Sequence, residues 1–328
     1  MASAQRFCLN EAMCSHRETR RLLLVLSILC SMSLFSCGRT ALLPPERQVL
    51  KSMTAFDGGK FEASGVAAVS GTDGVLFVDD GRGGQVFWMD LDQNGRQVGA
   101  IKPIDLGVDI EDIEDISTDG TYFYVVSSQS RPKAIAKEGL VRFKFDARSQ
   151  SVEGVESIGG LKSFLVDNVA ELREEGDRKG KHGGVNIEGL ACDIQRGRLL
   201  LALRSPIIDD HALVIPLRLR DARGAFSLDN LEVEGSNAIR LALGGIGIRG
   251  IEFDARANVF RIISGAAEDQ DQTDFGLWEW NGDEKQPVLR ETHRFDSSLK
   301  PEGVARVRNG KRDFIFIVFD AGGYTVLN

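Results

Sequence analysis

Short apolar or alternating segments, separated by polar turns, make up most of the chain from about residue 47 onward. Gly, Asp or Asn bounds most of these segments, and this pattern predicts β-strands that are connected by tight turns. A helical spacing of apolar residues predicts one helix, within Leu161–Glu175. The predicted strands lie at Val75–Val78, Gln85–Met89, Tyr122–Val126, Leu140–Phe145, Leu199–Leu203, Leu213–Leu217, Val259–Ile263, Gly276–Trp280 and Phe314–Phe319.

Five segments of the chain share one plan, namely residues 61–80, 112–128, 186–204, 247–265 and 300–320. Each has a charged residue, then a small or acidic residue and an aliphatic one, and continues through a polar turn into an apolar strand. The charged residues are Glu62, Glu114, Glu188, Arg249 and Glu302, with spacings of 52, 74, 61 and 53 residues. Repeats of this length that contain several strands indicate the blades of a β-propeller.

The expected fold is therefore all-β, a β-propeller of five blades. A single sheet cannot bury both of its faces, whereas a ring of sheets buries each face against a neighbour. The last repeat lacks an outer strand, and we expect Arg47–Phe56 to supply it and close the ring. Two alternatives stay open. One is a sixth, irregular blade from residues 146–185 or 218–246, and the other is a pair of β-sandwiches in which the repetition arises by chance.

The N-terminal segment differs from the rest of the chain. A basic stretch precedes Leu22–Cys37, which carries no charge in 16 residues and is shorter than the ~20 residues of a membrane-spanning helix. This pattern predicts a secretory signal over residues 1–37. The segment ends in Leu34-Phe35-Ser36-Cys37, which resembles a bacterial lipobox and implies lipidation of Cys37. A plain signal peptide and a short uncleaved anchor are the alternatives.

These features predict three parts of the chain: the signal peptide, an extended linker over residues 38–46, and the propeller domain over residues 47–328. The linker contains Pro44-Pro45, which disfavours a helix. The expected location is the cell envelope, on the periplasmic side of the outer membrane or on the cell surface. Membrane contact is expected only through the lipid.

Net charge and cysteine content exclude two broad classes of protein. The formal net charge is −8, whereas a nucleic-acid-binding protein normally carries a basic face. Five Cys in 328 residues do not make a disulfide framework, and three of the five precede Cys37 within the predicted signal. The expected partner is a small anionic ligand or an envelope protein, and not a nucleic acid.

Several ordered motifs resemble a bacterial family of unknown function, domain-of-unknown-function family 3616, over about residues 60–328. They are FEASG, DIEDISTDGTYFYV followed by SQSR, VNIEGLACD with LALRSP, GIRGIE and PEGVA. That family looks related to phytase-like and esterase-like propellers, which share Glu-Gly-aliphatic motifs. The second repeat departs from the pattern, since Asp115 follows Glu114 where glycine would be typical. The resemblance implies a fold but no established activity.

Propellers bind ligands at the mouth of the central channel, where the inner strands begin and the second strands end. Because the fifth blade adjoins the first in a closed ring, an acidic side and a basic side are expected. The acidic side could hold a hard cation such as Ca²⁺, which takes oxygen ligands. The arginines could hold a phosphate or carboxylate by bidentate contacts. The metal candidates are Glu62, Asp79, Asp80, Glu302 and Asp320, and the ligand candidates are Arg131, Arg204, Arg249, Glu114 and Glu188.

Three functions follow from this arrangement. The first is recognition of a ligand or partner at the channel mouth. The second is metal-assisted hydrolysis of a phosphate or carboxylic ester, for which no residue has an assigned catalytic role. The third is a scaffold for envelope complexes. A structural alternative also stays open, in which Arg and Glu side chains simply pair with each other across the blades.

Overall fold

A computed structural model describes residues 49–131, 135–174, 178, 182–268, 275–309 and 312–328. Residues 46–328 form one compact unit. The predicted signal with Cys37 and the predicted linker over residues 38–46 lie outside the described residues. Within the described ranges, no helix is long and apolar enough to span a membrane.

Strands dominate the described chain, and five sheets contain them. Two short strands come first, β1 (Val49–Leu50) and β2 (Thr54–Ala55). Blade 1 comprises β3 (Ala63–Ala68), β4 (Gly74–Asp79), β5 (Gln85–Leu91) and β6 (Gln97–Asp105). Blade 2 comprises β7 (Ile113–Thr118), β8 (Phe123–Ser127), β9 (Gly139–Asp146) and β10 (Ser151–Gly159). Blade 3 comprises β11 (Asn186–Asp193), β12 (Arg198–Ser205), β13 (Ala212–Leu219), β14 (Leu231–Val233) and β15 (Ile239–Leu241).

The last two blades complete the ring. Blade 4 comprises β16 (Gly247–Asp254), β17 (Val259–Gly265), β18 (Phe275–Trp280) and β19 (Leu289–Phe295), and blade 5 comprises β20 (Pro301–Asn309), β21 (Arg312–Phe319) and β22 (Gly323–Leu327). Residues 151–159 are the outer strand of blade 2, and β14 and β15 both pair with β13. The segments considered for a sixth blade therefore belong to blades 2 and 3. The five-bladed propeller is confirmed, and the paired β-sandwiches are wrong.

The N-terminal strands close the ring, as predicted. In β2, Thr54 and Ala55 pair antiparallel with β22 and supply the fourth strand of blade 5. A second contact was not predicted, since β1 pairs parallel with β19 at the outer edge of blade 4. The inner strands of blades 5 and 1 meet at Gly303, where a Cβ atom would lie 2.8 Å from the Cα atom of Gly65. Only glycine permits so close an approach of two backbones.

The predicted helix forms but is shorter than expected. Helix α1 spans Leu161–Asn168 and buries Leu161 and Leu165 in a hydrophobic cluster formed by blades 2 and 3. It ends because Val169 takes an extended backbone, after which Ala170–Leu172 forms a 3₁₀ turn. Other 3₁₀ turns among the described residues include Ile135–Lys137 and Leu228–Asn230.

Each inner strand contains a β-bulge near its start. The pairing register between the first and second strands shifts in all five blades and leaves one inner-strand residue without a partner. A bulge re-aims the extra side chain, and bulges concentrate near functional sites. The bulged residues are Ser64, Glu114, Glu188, Arg249 and Glu302. The alignment of Glu62 with the other four was therefore wrong, because Ser64 holds that position in blade 1.

Candidate functional site

The mouth is defined here as the end of the channel where the inner strands begin and the second strands end. The five bulged residues lie at this end, one from each blade. The residues two positions earlier form a second set at the same end, and these are Glu62, Asp112, Asn186, Gly247 and Lys300. Asp112 and Lys300 take left-handed backbone conformations, with φ of 56° and 48°. Such strain concentrates at ligand sites.

Arg249 lies between two glutamates from neighbouring blades. Its Nε atom is 2.9 Å from the Glu188 Oε2 atom, and its Nη2 atom donates to the Glu302 carboxylate. All three side chains are nearly buried, with 10%, 6% and 9% exposure for Arg249, Glu188 and Glu302. Burial disfavours the charged guanidinium, but the two carboxylates outweigh it and raise the Arg249 pKa. This contact is the cross-blade pairing considered as the structural alternative.

The other two predicted arginines also contact carboxylates. The Arg204 Nη1 atom lies 3.0 Å from the Glu188 Oε1 atom, and its Nε atom donates to the Ala266 carbonyl at 3.0 Å. The Arg131 Nη2 atom lies 2.6 Å from the Asp112 Oδ1 atom. An anionic ligand would therefore compete with carboxylates for all three guanidinium groups. Anion binding by these arginines stays a prediction.

Glu114 differs from the other charged bulge residues because it faces like charges. Within the described residues, no hydrogen bond or ion pair to its carboxyl group is found. Burial raises its pKa well above the ordinary value, and the charges of Glu188 and Asp112 raise it further. Glu114 is therefore a partly buried carboxylic acid that holds its proton more tightly than a free glutamate does.

The predicted acidic side gathers around Asp80. The Oδ1 atom of this residue is buried and has no hydrogen-bond partner among the described residues. Burial raises the Asp80 pKa to about 6, and the charges of Asp320, Glu62 and Asp79 contribute. The structure thus brings four of the five metal candidates near one another. The fifth, Glu302, contacts Arg249 instead.

These carboxylates do not form a ready calcium site. The two Asp79 oxygens accept hydrogen bonds from the amides of Glu62 (3.1 Å) and Gly81 (3.0 Å). Asp320 accepts from the Lys300 Nζ atom at 2.7 Å. In the part of the chain that the structure describes, no group of three or more His, Cys, Asp or Glu side chains is placed to hold a metal. Calcium binding stays a prediction.

A cavity of about 430 Å³ opens beside Asp80, between blades 1 and 2. Its size lies in the range of small-molecule sites, about 300–1,000 Å³. Gly81, Gly83 and Gly84 line one wall with backbone atoms. Five carboxylates and one arginine supply the charged groups: Asp80, Asp105, Asp109, Glu111, Asp112 and Arg131.

Sequence reasoning missed Asp112 and Glu138. The Asp112 carboxylate accepts from the Ser128 hydroxyl and from Arg131, and Glu138 accepts from the Arg131 amide at 3.0 Å. Burial raises the Glu138 pKa to about 7. The polar-Ile-Glu pattern shared by Asp112–Glu114 and Asn186–Glu188 marks Asp112 in the sequence. No such pattern surrounds Glu138, because it lies in the connection between β8 and β9 and not at the start of an inner strand.

Asp115 explains the departure from the glycine pattern. It holds the place that glycine takes in the other four inner strands, and its Oδ2 atom accepts from the Leu190 amide of blade 3 at 2.8 Å. Its Oδ1 atom accepts from the Ile116 amide at 2.8 Å. Burial raises the Asp115 pKa, while these amides oppose the shift. Asp115 therefore joins two blades and does not face a ligand.

Comparison with known protein families supports the predicted resemblance. The model of the family described as "Protein of unknown function (DUF3616)" matches residues 163–323. This match confirms the resemblance to that family over these residues. It covers blades 3 to 5 almost completely, with α1 before them. No curated protein is significantly similar to the chain in sequence. The relation to phytase-like and esterase-like propellers stays a prediction.

Solved structures resemble the fold only distantly. The PQQ domain of pyranose dehydrogenase from Coprinopsis cinerea is 11% identical, with coverage of 87% of this chain and 98% of that chain and a TM-score of 0.45. The soluble aldose sugar dehydrogenase from Escherichia coli is 12% identical, with coverage of 84% and 98% and a TM-score of 0.44. These values carry no argument about activity. The propeller assignment rests on the strand pairing described above.

Proposed function

We propose that the protein binds a small, positively charged ligand in the mouth cavity between blades 1 and 2. The observation that carries this proposal is the charge of the cavity lining, which has five carboxylates against one arginine. Outside the lining, the Lys137 Nζ atom contacts Asp109 at 3.2 Å and Glu111 at 2.9 Å. Even with Lys137 included, five carboxylates face two cations among the described residues at this cavity. Such a surface attracts a cation.

Asp80 is the residue through which the ligand would be held most directly. Its unpartnered Oδ1 atom costs free energy while it is buried without a hydrogen bond, and an ammonium group or a divalent cation would remove that cost. Because the Asp80 pKa is about 6, the carboxylate is ionised at neutral pH and protonated in mild acid. Binding of a cation is therefore expected to weaken as the pH falls through about 6.

Calorimetric titration with putrescine, and separately with CaCl₂, tests this proposal at constant ionic strength. We expect binding of at least one of the two, with an affinity about tenfold lower in Asp80→Asn. Glu153→Gln is the matched control, because Glu153 is an exposed carboxylate on the outer strand of blade 2. Absence of binding for both cations, or an equal loss in the control, would contradict the proposal. A calcium response without a putrescine response would assign the site to a metal ion.

We also propose that the chain is exported and anchored by lipid at Cys37. Support comes from the uncharged segment Leu22–Cys37 and its lipobox-like end. Labelling with radioactive palmitate in a bacterial host should mark the wild type and leave Cys37→Ser unlabelled. Labelling of both proteins, or of neither, would contradict the lipid anchor. An envelope protein as partner, and hydrolysis of a phosphate or carboxylic ester, remain alternatives that no contact among the described residues favours.

A further inference from the structure

Three arginines converge on one carboxylate at the end of the channel opposite the mouth. Arg256 lies in the turn between β16 and β17 of blade 4, and Arg306 and Arg308 lie on β20 of blade 5. All three contact Asp313 on β21: Arg256 through Nη1, Arg306 through Nε, and Arg308 through Nε at 3.4 Å. These cations lower the Asp313 pKa to about 2, with the Arg306 hydrogen bond as the largest cause.

The same arginines line a cavity of about 490 Å³. Its opposite wall is the turn of blade 1 over residues 68–72, which contributes Ser70, Gly71 and Thr72. The backbone of Gly71 is left-handed, with φ of 76°, and a Cβ atom there would meet nothing within 4 Å. The lining combines the guanidinium groups and the Ser70 hydroxyl, which donate hydrogen bonds, with the carboxyl groups of Glu252 and Asp254. Both carboxyl groups already accept hydrogen bonds, Glu252 from the Arg306 amide and Asp254 from the Arg306 and Arg261 side chains.

The three arginines carry more N–H donors than their contacts with described carboxylates use. A guanidinium group carries five N–H donors. Arg306 forms ion pairs with Asp254 and Asp313, and only 23% of its side chain is exposed. Arg256 and Arg308 are 63% and 58% exposed, and each contacts only Asp313 among the described side chains. Their remaining donors are available to a ligand at the cavity.

We propose that this cavity binds a phosphate group through Arg256 and Arg308, with Arg306 as a positioning residue. Guanidinium groups bind phosphate oxygens in bidentate pairs, and three oxygens of one phosphate can serve two arginines at once. This basic cluster is a second site that is independent of the mouth. Asp313 holds the arginines together in the absence of ligand and competes with the phosphate for them.

Calorimetric titration of the purified protein with inorganic phosphate tests the site against sodium chloride of equal ionic strength. We expect the double variant Arg256→Gln, Arg308→Gln to lose about tenfold or more in affinity. Arg223→Gln is the matched control, because Arg223 is an exposed arginine of blade 3. The control and Asp80→Asn should bind phosphate as the wild type does, so failure of the mouth proposal would not affect this result.

Asp313→Asn distinguishes a binding site from a merely structural cluster. Removal of the competing charge should tighten phosphate binding several-fold, whereas a structural role predicts no tightening. A parallel titration with phenyl phosphate asks whether the ligand is a free ion or an ester, since an ester would fill more of the cavity and bind more tightly. No phosphate binding in the wild type, or equal losses in the double variant and the control, would overturn the proposal.

Discussion

Arg249 shows how single residues far apart in the chain become one unit at the channel axis. It contacts Glu188 of blade 3 and Glu302 of blade 5 while it belongs to blade 4. A buried carboxylate without a cation is strongly destabilising, so the three side chains depend on one another. Burial raises the Glu302 pKa to about 7 even though Arg249 opposes the shift.

Replacement of Arg249 by Met is expected to lower the free energy of unfolding by about 3–5 kcal/mol, because two carboxylates stay buried without their cation. Urea unfolding monitored by tryptophan fluorescence measures the change. Arg249→Lys keeps the charge and should lose less, which separates the charge from packing. Arg223→Met, on the exposed surface of blade 3, is the control. A loss in Arg249→Met no larger than in this control would contradict the pairing.

The bulge residues were predictable from the sequence in four blades of five. Glu114, Glu188, Arg249 and Glu302 precede a small or acidic residue and an aliphatic one, and the same pattern identifies Ser64 before Gly65 and Val66. Glu62 was aligned with the other four residues because it is charged. The glycine that follows the bulge residue in blades 3, 4 and 5 corresponds to Gly65 in blade 1, which identifies Ser64 as the equivalent residue. Pairing partners were not predictable, since they depend on side-chain directions that the bulges set.

At the scale of elements, the N-terminal segment holds the ring closed. Beyond the strand pairing of β2, Phe56 stacks on Phe77 of blade 1 at a centroid distance of 5.2 Å. It also lies 5.6 Å from the Tyr324 ring of blade 5. The missing outer strand was predictable because the last repeat is one strand short. The parallel addition of β1 to blade 4 was not, since two residues carry no pattern of their own.

A chain that begins at Asp57 should be much less stable than one that begins at Glu46. The longer chain keeps both short strands and Phe56, whereas the shorter chain leaves β19 and β22 as open edges. Loss of a buried phenylalanine alone costs about 3–5 kcal/mol. Thermal unfolding followed by circular dichroism compares the two chains, with the full-length protein as reference. Equal midpoints for the two truncated chains would contradict closure by this segment.

At the scale of the whole molecule, buried carboxyl groups make stability depend on pH. Burial raises the pKa values of Glu138, Glu252 and Glu302 to about 7 and that of Asp80 to about 6. Because these groups bind protons more tightly in the folded state, folding is favoured by protonation. Asp313 acts in the opposite direction, since its lowered pKa adds stability that is lost as the pH falls toward about 2.

The free energy of unfolding should therefore fall as the pH rises from about 4.5 to about 7, between the unfolded and folded pKa values. Urea unfolding across this range measures the slope. Glu252→Gln should flatten part of it, because the variant has no carboxyl group to ionise at that position. Glu153→Gln, at an exposed position, should leave the slope unchanged. Stability that rises steadily over the same pH range would be inconsistent with the buried acids.

The most direct test of the convergent ring is a double-mutant cycle between Glu188→Gln and Glu302→Gln. These residues lie in different blades, and both contact Arg249. Each single variant leaves the guanidinium one glutamate of the two, whereas the double variant leaves neither. We predict a coupling free energy of about 1–3 kcal/mol in urea unfolding. Additive effects, within about 0.5 kcal/mol, would show that the two side chains do not meet at one axis.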